Sequence, residues 1–379
     1  MAFQSEILKT EYQKTKEIEF DKASALDSEL LKTLKKDPAV VKAAELLKKG
    51  EVVALPTETV YGLAADALNP LAVKKIFAAK GRPQDNPLIV HIAEKSQLEN
   101  LIKEEVPEKA EKLIDHFWPG PLTIIFAKNS KVPAETSAGL NTIAVRMPAH
   151  PLMLAVIKKS GLNLAAPSAN TSGYPSPTRA QHVYNDLKGK IPLILDGGPC
   201  HFGVESTVVD IRGDKIKVLR PGGISREELS QFMKEEVVLA AEMDDESRAA
   251  VSPGMKYRHY APQKKLYVFN FKDKLSVLKQ ALIRAEKEKV ALIAARETEI
   301  DIPDSVRDNI KTLKVFSHAQ PEELAQKLFD LLRRLDSDSS IKEIYIEELD
   351  SRGLGETVMN RIYKAAAAEE DFHPGGGDN

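Results

Sequence analysis

The densest chemistry in the chain lies at Lys80-Gly81-Arg82-Pro83, followed closely by Asn86-Pro87-Leu88. Two cations within three residues suit a phosphate better than a salt bridge. Asn69-Pro70 reads as a helix cap and first helical position, with Val73, Ile76 and Phe77 as the apolar stripe. The cations therefore fall where this helix is expected to end and the chain to turn extended before Pro83. In an extended segment the Lys80 and Arg82 heads point to one side and converge on a single anion. Cations that merely complement a helix dipole are the plain alternative. On this segment alone the two readings stand level.

Further groups able to do chemistry stand upstream and downstream. The apolar run Glu51-Val52-Val53-Ala54-Leu55 leads into Pro56-Thr57-Glu58-Thr59-Val60-Tyr61-Gly62. That places two hydroxyls, a carboxylate and a phenol at a strand end, where open α/β sheets hold ligands. Arg146 closes the apolar strand Ile143-Ala144-Val145, where an unpaired guanidinium is costly to bury. His91 ends the run Leu88-Ile89-Val90, and by itself it reads as a core histidine more readily than as a ligand contact.

Taken in order, these segments resemble the YrdC-like domain of threonylcarbamoyl-AMP synthases. The resemblance extends through Trp118-Pro119-Gly120-Pro121-Leu122-Thr123, Ala144-Val145-Arg146-Met147-Pro148 and Ala166-Pro167-Ser168-Ala169-Asn170. It continues in Glu205-Ser206-Thr207-Val208-Val209-Asp210, Leu219-Arg220-Pro221-Gly222 and Ser252-Pro253-Gly254-Met255-Lys256-Tyr257-Arg258-His259-Tyr260. It implies condensation of L-threonine, bicarbonate or carbon dioxide, and ATP to threonylcarbamoyl-AMP and pyrophosphate. That product is the activated intermediate for threonylcarbamoyladenosine in transfer RNA, and it passes to tRNA threonylcarbamoyl transferase proteins. The resemblance assigns L-threonine to Thr59, His91, Arg146, Ser206 and the backbone at Ala166. ATP falls to Lys80, Arg82, Asn86, Thr142, Ser168, Asn170, Ser176 and Arg220, with Lys80 and Arg82 as the catalytic cations. Mg2+ is implied by the triphosphate, holding several waters and few protein ligands. Glu58 and Glu205 offer carboxylates that take part directly or orient a neighbour. Tyr257 and Tyr260, interleaved with Lys256, Arg258 and His259, suit a lid over the nucleotide; a linker docked on the surface is the alternative.

The elements that must position these groups alternate. Strands are expected at 51–55, 88–92, 122–127, 142–146, 163–166, 192–195, 206–211 and 216–219. Helices are expected from Asp37-Pro38 to Lys48-Lys49 and from the capping box Ser225-Arg226-Glu227-Glu228. This is an α/β chain: a YrdC-like domain with a mixed, twisted sheet at 36–239, then a smaller Rossmann-like α/β domain at 264–370. A helical or partly ordered extension at 1–35 precedes them, a linker or lid at 240–263 joins them, and 371–379 reads as a disordered tail. In the C-terminal domain, strands at 266–269, 290–294, 312–316 and 341–346 alternate with helices at 273–288, 321–335 and 356–368. Gly353-Leu354-Gly355 opens the last helix without completing a dinucleotide fingerprint.

Composition narrows the class. The 379 residues are 42% hydrophobic and 29% charged, with a formal net charge of −2. Such a balance opposes broad electrostatic binding to nucleic acid, although a local basic groove fits within it, and weak RNA contact with it. A double-stranded RNA or tRNA binding module of the same fold is the reading from another class; it leaves the Arg146 slot unexplained. Related domains that handle carbamoyl-adenylate in hydrogenase maturation carry zinc-finger cysteines, and Cys200 is the single cysteine here. Cys200 and His201 read as loop residues rather than a nucleophile and its base. No apolar run reaches membrane-spanning length, so a cytoplasmic enzyme is expected.

Overall fold

The computed structural model describes residues 3–10, 27–240, 260–269 and 281–366. Tyr257, most of the linker from 241 to 259, the first part of the helix expected at 273–288 and the C-terminal tail lie outside the described residues. The chain divides into two compact units, one of Met1–Ser172 with Ser176–Tyr257, the other of Gly173–Pro175 with Arg258–Asn379.

In the first unit the described strands form one mixed sheet of eleven. They are β1 (Glu6–Leu8), β2 (Val53–Leu55), β3 (Gly62–Asp66), β4 (Ile89–His91), β5 (Leu122–Ala127) and β6 (Thr142–Arg146), then β7 (Leu164–Ala165), β8 (Leu193–Leu195), β9 (Thr207–Asp210), β10 (Ile216–Arg220) and β11 (Val237–Leu239). Their spatial order is β1-β8-β2-β3-β7-β4-β6-β5-β9-β10-β11. The centre of the sheet, β3-β7-β4-β6-β5, therefore carries the ends of four of the motif segments. β4 runs parallel to β6 in a register that sets His91 beside Arg146, and antiparallel to β7. These central strands are buried on both faces, which is why they read as continuous apolar runs rather than alternating ones.

Helices α1 (Ser28–Leu34) and α2 (Pro38–Lys48) pack against α5 (Pro151–Ser160), while α3 (Pro70–Lys80) lies on β3 and α4 (Glu108–Phe117) follows it in the chain. The caps are those the sequence writes. The Asn69 side chain accepts from the Leu71 and Ala72 amides ahead of Pro70, and Asp37 accepts from the Ala39 amide ahead of Pro38. Ser225 accepts from the Glu228 amide to open α6 (Arg226–Met233). Most buried apolar side chains of this unit join a core that includes Leu55, Ile76, Phe77, Val90 and Val145, while Ile89, Ile125, Ala144 and Val208 form a smaller cluster.

Three features differ from expectation. Residues 6–8 are an edge strand paired in parallel with β8, where a helical or partly ordered extension is expected; residues 28–34 are helical, in agreement with that expectation. Gly62–Asp66 is a central strand, hidden in the sequence because Gly-Leu-Ala-Ala-Asp lacks β-branched residues. Tertiary pairing with β2 and β7 overrides that weak preference. Finally, Lys80 is the last residue of α3, and Gly81 takes the left-handed conformation with φ 63°. Lys80 and Arg82 are therefore separated by a helix-terminating turn, not set side by side in an extended segment.

The second unit is a four-stranded parallel sheet in the order β12-β15-β13-β14, formed by β12 (Lys265–Phe269), β13 (Lys289–Ala295), β14 (Ile310–Phe316) and β15 (Ile341–Glu347). Helices α7 (Pro321–Ser337) and α8 (Leu354–Ala365) pack on one another. Residues 281–285 are helical, in agreement with the end of the helix expected there. Strand and helix alternation is the expected Rossmann-like pattern. Gly173–Pro175 is held within this unit by Arg333, whose Nε donates to the Pro175 carbonyl at 3.1 Å, and by Tyr174, whose hydroxyl donates to Asp336 at 2.6 Å.

Candidate active site

The loop from Pro56 to Tyr61 joins β2 to β3 and is knotted by Thr57. Its hydroxyl donates to the Val60 carbonyl at 2.7 Å and accepts from the Thr59 and Val60 amides, each at 3.2 Å. The Thr59 hydroxyl lies 2.8 Å from that of Thr57. Because the Thr57 proton is committed to Val60, Thr59 donates to Thr57 and keeps its lone pairs for another donor. Tyr61 fastens the far end of the loop: its hydroxyl donates to the Gly198 carbonyl at 2.7 Å and accepts from the Gly197 amide at 2.9 Å. Burial and the nearby Cys200 and Asp196 push the Tyr61 phenol well above its ordinary range, so it stays a neutral donor.

The donor that meets Thr59 is Arg146, at the end of β6. Its Nη1 donates to Thr59 Oγ1 at 2.9 Å and its Nε to the Gly120 carbonyl at 3.0 Å. Its Nη2 lies 2.6 Å from Glu58 Oε1, with side-chain exposures of 4% and 0%. The guanidinium that the sequence leaves unpaired thus has a buried counter-charge within the neighbouring loop. Gly120 can bring its carbonyl this close because it has no side chain: a Cβ there would stand 2.2 Å from the Phe117 carbonyl oxygen.

His91 sits beside Arg146 in the sheet register and is 3% exposed. Desolvation first, and the positive Arg146 second, lower its pKa to about 3, so the imidazole is neutral at physiological pH. Its Nδ1 is buried and has no hydrogen-bond partner. Ser206 is held by Thr123 and Arg220. Its hydroxyl is 2.8 Å from that of Thr123 on β5 and accepts from Arg220 Nη2 at 3.1 Å, while its carbonyl accepts from the same Nη2 at 2.9 Å. Gly222 holds the turn behind it, since a Cβ there would lie 2.1 Å from the Thr207 amide nitrogen. The Ala166 amide donates to the Ile89 carbonyl at 3.0 Å, which fixes the backbone beside His91.

Of the residues predicted to face phosphate, hydrogen bonds join Lys80, Ser168 and Asn170. Lys80 is buried, and its ammonium donates to the carbonyls of Ser168 and of Asn170, the latter at 2.7 Å. The Ser168 hydroxyl donates to Asn170 Oδ1 at 2.5 Å. The Ala169 amide donates to the Tyr61 carbonyl at 2.8 Å, which ties this loop to the one bearing Thr59. Ser176 donates to Glu205 Oε1 at 2.6 Å, and Asn86 and Thr142 are buried. Arg82 is half-buried beyond Gly81. Tyr260 belongs to the second unit, with its ring 5.3 Å from that of Phe329 and 5.5 Å from the Arg361 guanidinium carbon. Cys200 is buried, and desolvation pushes its thiol well up, so it is no nucleophile; His201 is exposed.

Sequence reasoning named most of these residues but not their wiring. Thr123 as the partner of Ser206, Gly120 as an acceptor for Arg146, and Glu58 as its counter-ion emerge only from the fold. A carboxylate directly before Thr59 in a loop between two buried strands was the one signal for Glu58.

Two family models match consecutive stretches of the chain. Residues 45–222 match the family model described as telomere recombination, and residues 224–367 match that of the threonylcarbamoyl-AMP synthase C-terminal domain. The threonylcarbamoyl-AMP synthase of Bacillus subtilis (strain 168) is 46% identical, over 87% of this chain and 93% of its own. That of Pyrococcus abyssi is 45% identical, over 86% and 93% respectively. The chain belongs to the threonylcarbamoyl-AMP synthase family. A crystal structure of P. abyssi Sua5 complexed with L-threonine superposes with a TM-score of 0.76 at 45% identity, covering 86% of this chain and 94% of that one. Membership of the threonylcarbamoyl-AMP synthases makes this chain an ATP-using enzyme of the nucleotidyltransferase type, built on a YrdC-like domain with a second α/β domain. No helix among the described residues is long and apolar enough to cross a membrane.

Proposed function

We propose that this chain condenses L-threonine, bicarbonate or carbon dioxide, and ATP into threonylcarbamoyl-AMP and pyrophosphate, the activated group for threonylcarbamoyladenosine in transfer RNA. The observation that carries this reading is the buried Arg146, bonded to Thr59 and beside His91 in the sheet, in a chain 45% identical to one crystallised with L-threonine. The threonine amine attacks the carbon of the one-carbon donor, and the new carbamate oxygen attacks the α-phosphorus of ATP as pyrophosphate leaves. Neither step needs a covalent enzyme intermediate. Positioning and charge stabilisation supply the acceleration.

In this account the Arg146 fork takes the threonine carboxylate, and Thr59, neutral His91, Ser206 and the Ala166 backbone fix the rest of the amino acid. Lys80, Arg82, Asn86, Thr142, Ser168, Asn170, Ser176 and Arg220 receive the nucleotide. Lys80 and Arg82 oppose the charge that moves onto the departing pyrophosphate. Magnesium on the triphosphate would lower its charge. The Ser168 hydroxyl and Asn170 amide are the polar pair suited to meet it, and among the described residues no group of three or more His, Cys, Asp or Glu is gathered for a protein-held metal. Tyr257 and Tyr260 belong to the segment proposed to close over the nucleotide. The product then passes to the transferase proteins that act on transfer RNA.

Steady-state kinetics of Arg146→Ala and Lys80→Ala test the division of the site. Arg146→Ala is expected mainly to raise KM for threonine, with a loss of about 2–5 kcal/mol for truncating one partner of a buried charge pair. Lys80→Ala is expected mainly to lower kcat. Identical kinetic profiles from two folded variants would refute the division.

A further inference from the structure

We propose that Glu58 is the ligand for the α-ammonium group of the amino-acid substrate, so that Glu58 and Arg146 together form a charge pair complementary to a zwitterion. This rests on the threonine reading above and adds to it the group that recognises the amine. The Glu58 carboxylate is fully buried, and neither of its oxygens receives a hydrogen bond. Arg146 Nη2 is 2.6 Å from Oε1, but the approach is a charge contact lacking hydrogen-bond alignment, and Nη2 is itself without a hydrogen-bond partner. A buried carboxylate with no N–H directed at it is costly, and a ligand bringing charged N–H donors relieves that cost.

The geometry of an amino acid fits the pair. Covalent bonds hold an α-ammonium nitrogen and the nearer carboxylate oxygen roughly 2.5–3 Å apart, so both charges must be met by groups lying close together. Glu58 and Arg146 present opposite charges at that spacing. The other side chains of the slot, Thr59, Ser206 and neutral His91, carry no charge to hold an ammonium. Glu205, the other buried carboxylate of the cluster, has Oε1 engaged by Ser176 at 2.6 Å. A neutral slot made of one cation and one anion selects a zwitterion over a simple hydroxy acid.

The test compares L-threonine with (3R)-3-hydroxybutyrate, which lacks the amine, by calorimetry on the full chain and on Glu58→Gln. Wild type is expected to bind threonine and to bind 3-hydroxybutyrate at least about tenfold more weakly. Glu58→Gln is expected to lose about 10- to 100-fold in threonine affinity, the range for a hydrogen bond to a charged group, and little for 3-hydroxybutyrate. An equal loss for both ligands would show that Glu58 serves only to position Arg146, and would overturn the proposal. Equal binding of both ligands by wild type would overturn it too, leaving the threonine reading intact. Failure of wild type to bind threonine at all would instead remove that reading, and this proposal with it. Should Glu58→Gln not fold, Glu58→Asp carries the same comparison, because retracting the carboxylate by one methylene must weaken threonine more than 3-hydroxybutyrate.

Discussion

At the scale of single residues, the first unit keeps an unusual number of polar groups out of water. Lys80, His91, Arg146, His150 and Glu58 are each at most 3% exposed. The two histidines make this measurable. Desolvation lowers both His91 and His150 from an ordinary value of 6.5 to about 3. Below pH 6.5 the unfolded chain takes up protons that the folded imidazoles refuse, so stability falls as pH drops from 6.5 towards 3. Each histidine contributes a slope of up to about 1.4 kcal/mol per pH unit across that window and none above it. Urea denaturation between pH 7 and pH 4 should show this decline, and His150→Asn should show a shallower one. A variant slope equal to that of wild type would contradict the assignment. His91 and Arg146 were legible as polar residues closing apolar runs, whereas the roles of Thr59 and Ser206 came from the family resemblance. Their partners were not legible, since a contact such as Thr123 to Ser206 joins positions 83 apart.

At the scale of elements, the site is held by turns pressed against strands. Gly120 bends the chain after α4 so that its carbonyl reaches Arg146, and a Cβ there would strike the Phe117 carbonyl at 2.2 Å. Gly120→Ala is therefore expected to displace that turn, lower stability by about 1–3 kcal/mol, and raise KM for threonine more than it alters kcat. Thermal melting with threonine titration checks it; unchanged threonine binding would mean that the turn does not support Arg146. The elements themselves were largely readable, because caps such as Asn69-Pro70 and Asp37-Pro38 and the apolar runs name their helices and strands. The misses have physical causes. β3 is made of small residues whose pairing, not propensity, makes them a strand. The strand at Glu6–Leu8 exists only because β8 offers an edge. An extended reading of Lys80-Gly81-Arg82 fails because the helix runs through Lys80 and the left-handed Gly81 ends it.

At the scale of the whole molecule, a net charge of −2 gives no broad field for nucleic acid, and the buried cations serve a small anionic ligand better than an RNA backbone. The segment from Ser252 to Pro262 is proposed as a lid that excludes water from a labile acyl-adenylate. If so, threonine and ATP together should protect Lys256 and Arg258 from trypsin, whereas unchanged cleavage with a fully active truncation at about residue 240 would make the segment a tether only. The central claim is that the Arg146 slot and the Lys80 bay serve one reaction. Pyrophosphate release from ATP, with L-threonine and bicarbonate supplied together and omitted in turn, tests it most directly. The account predicts release only when all three substrates are present. Equal release without threonine would contradict it.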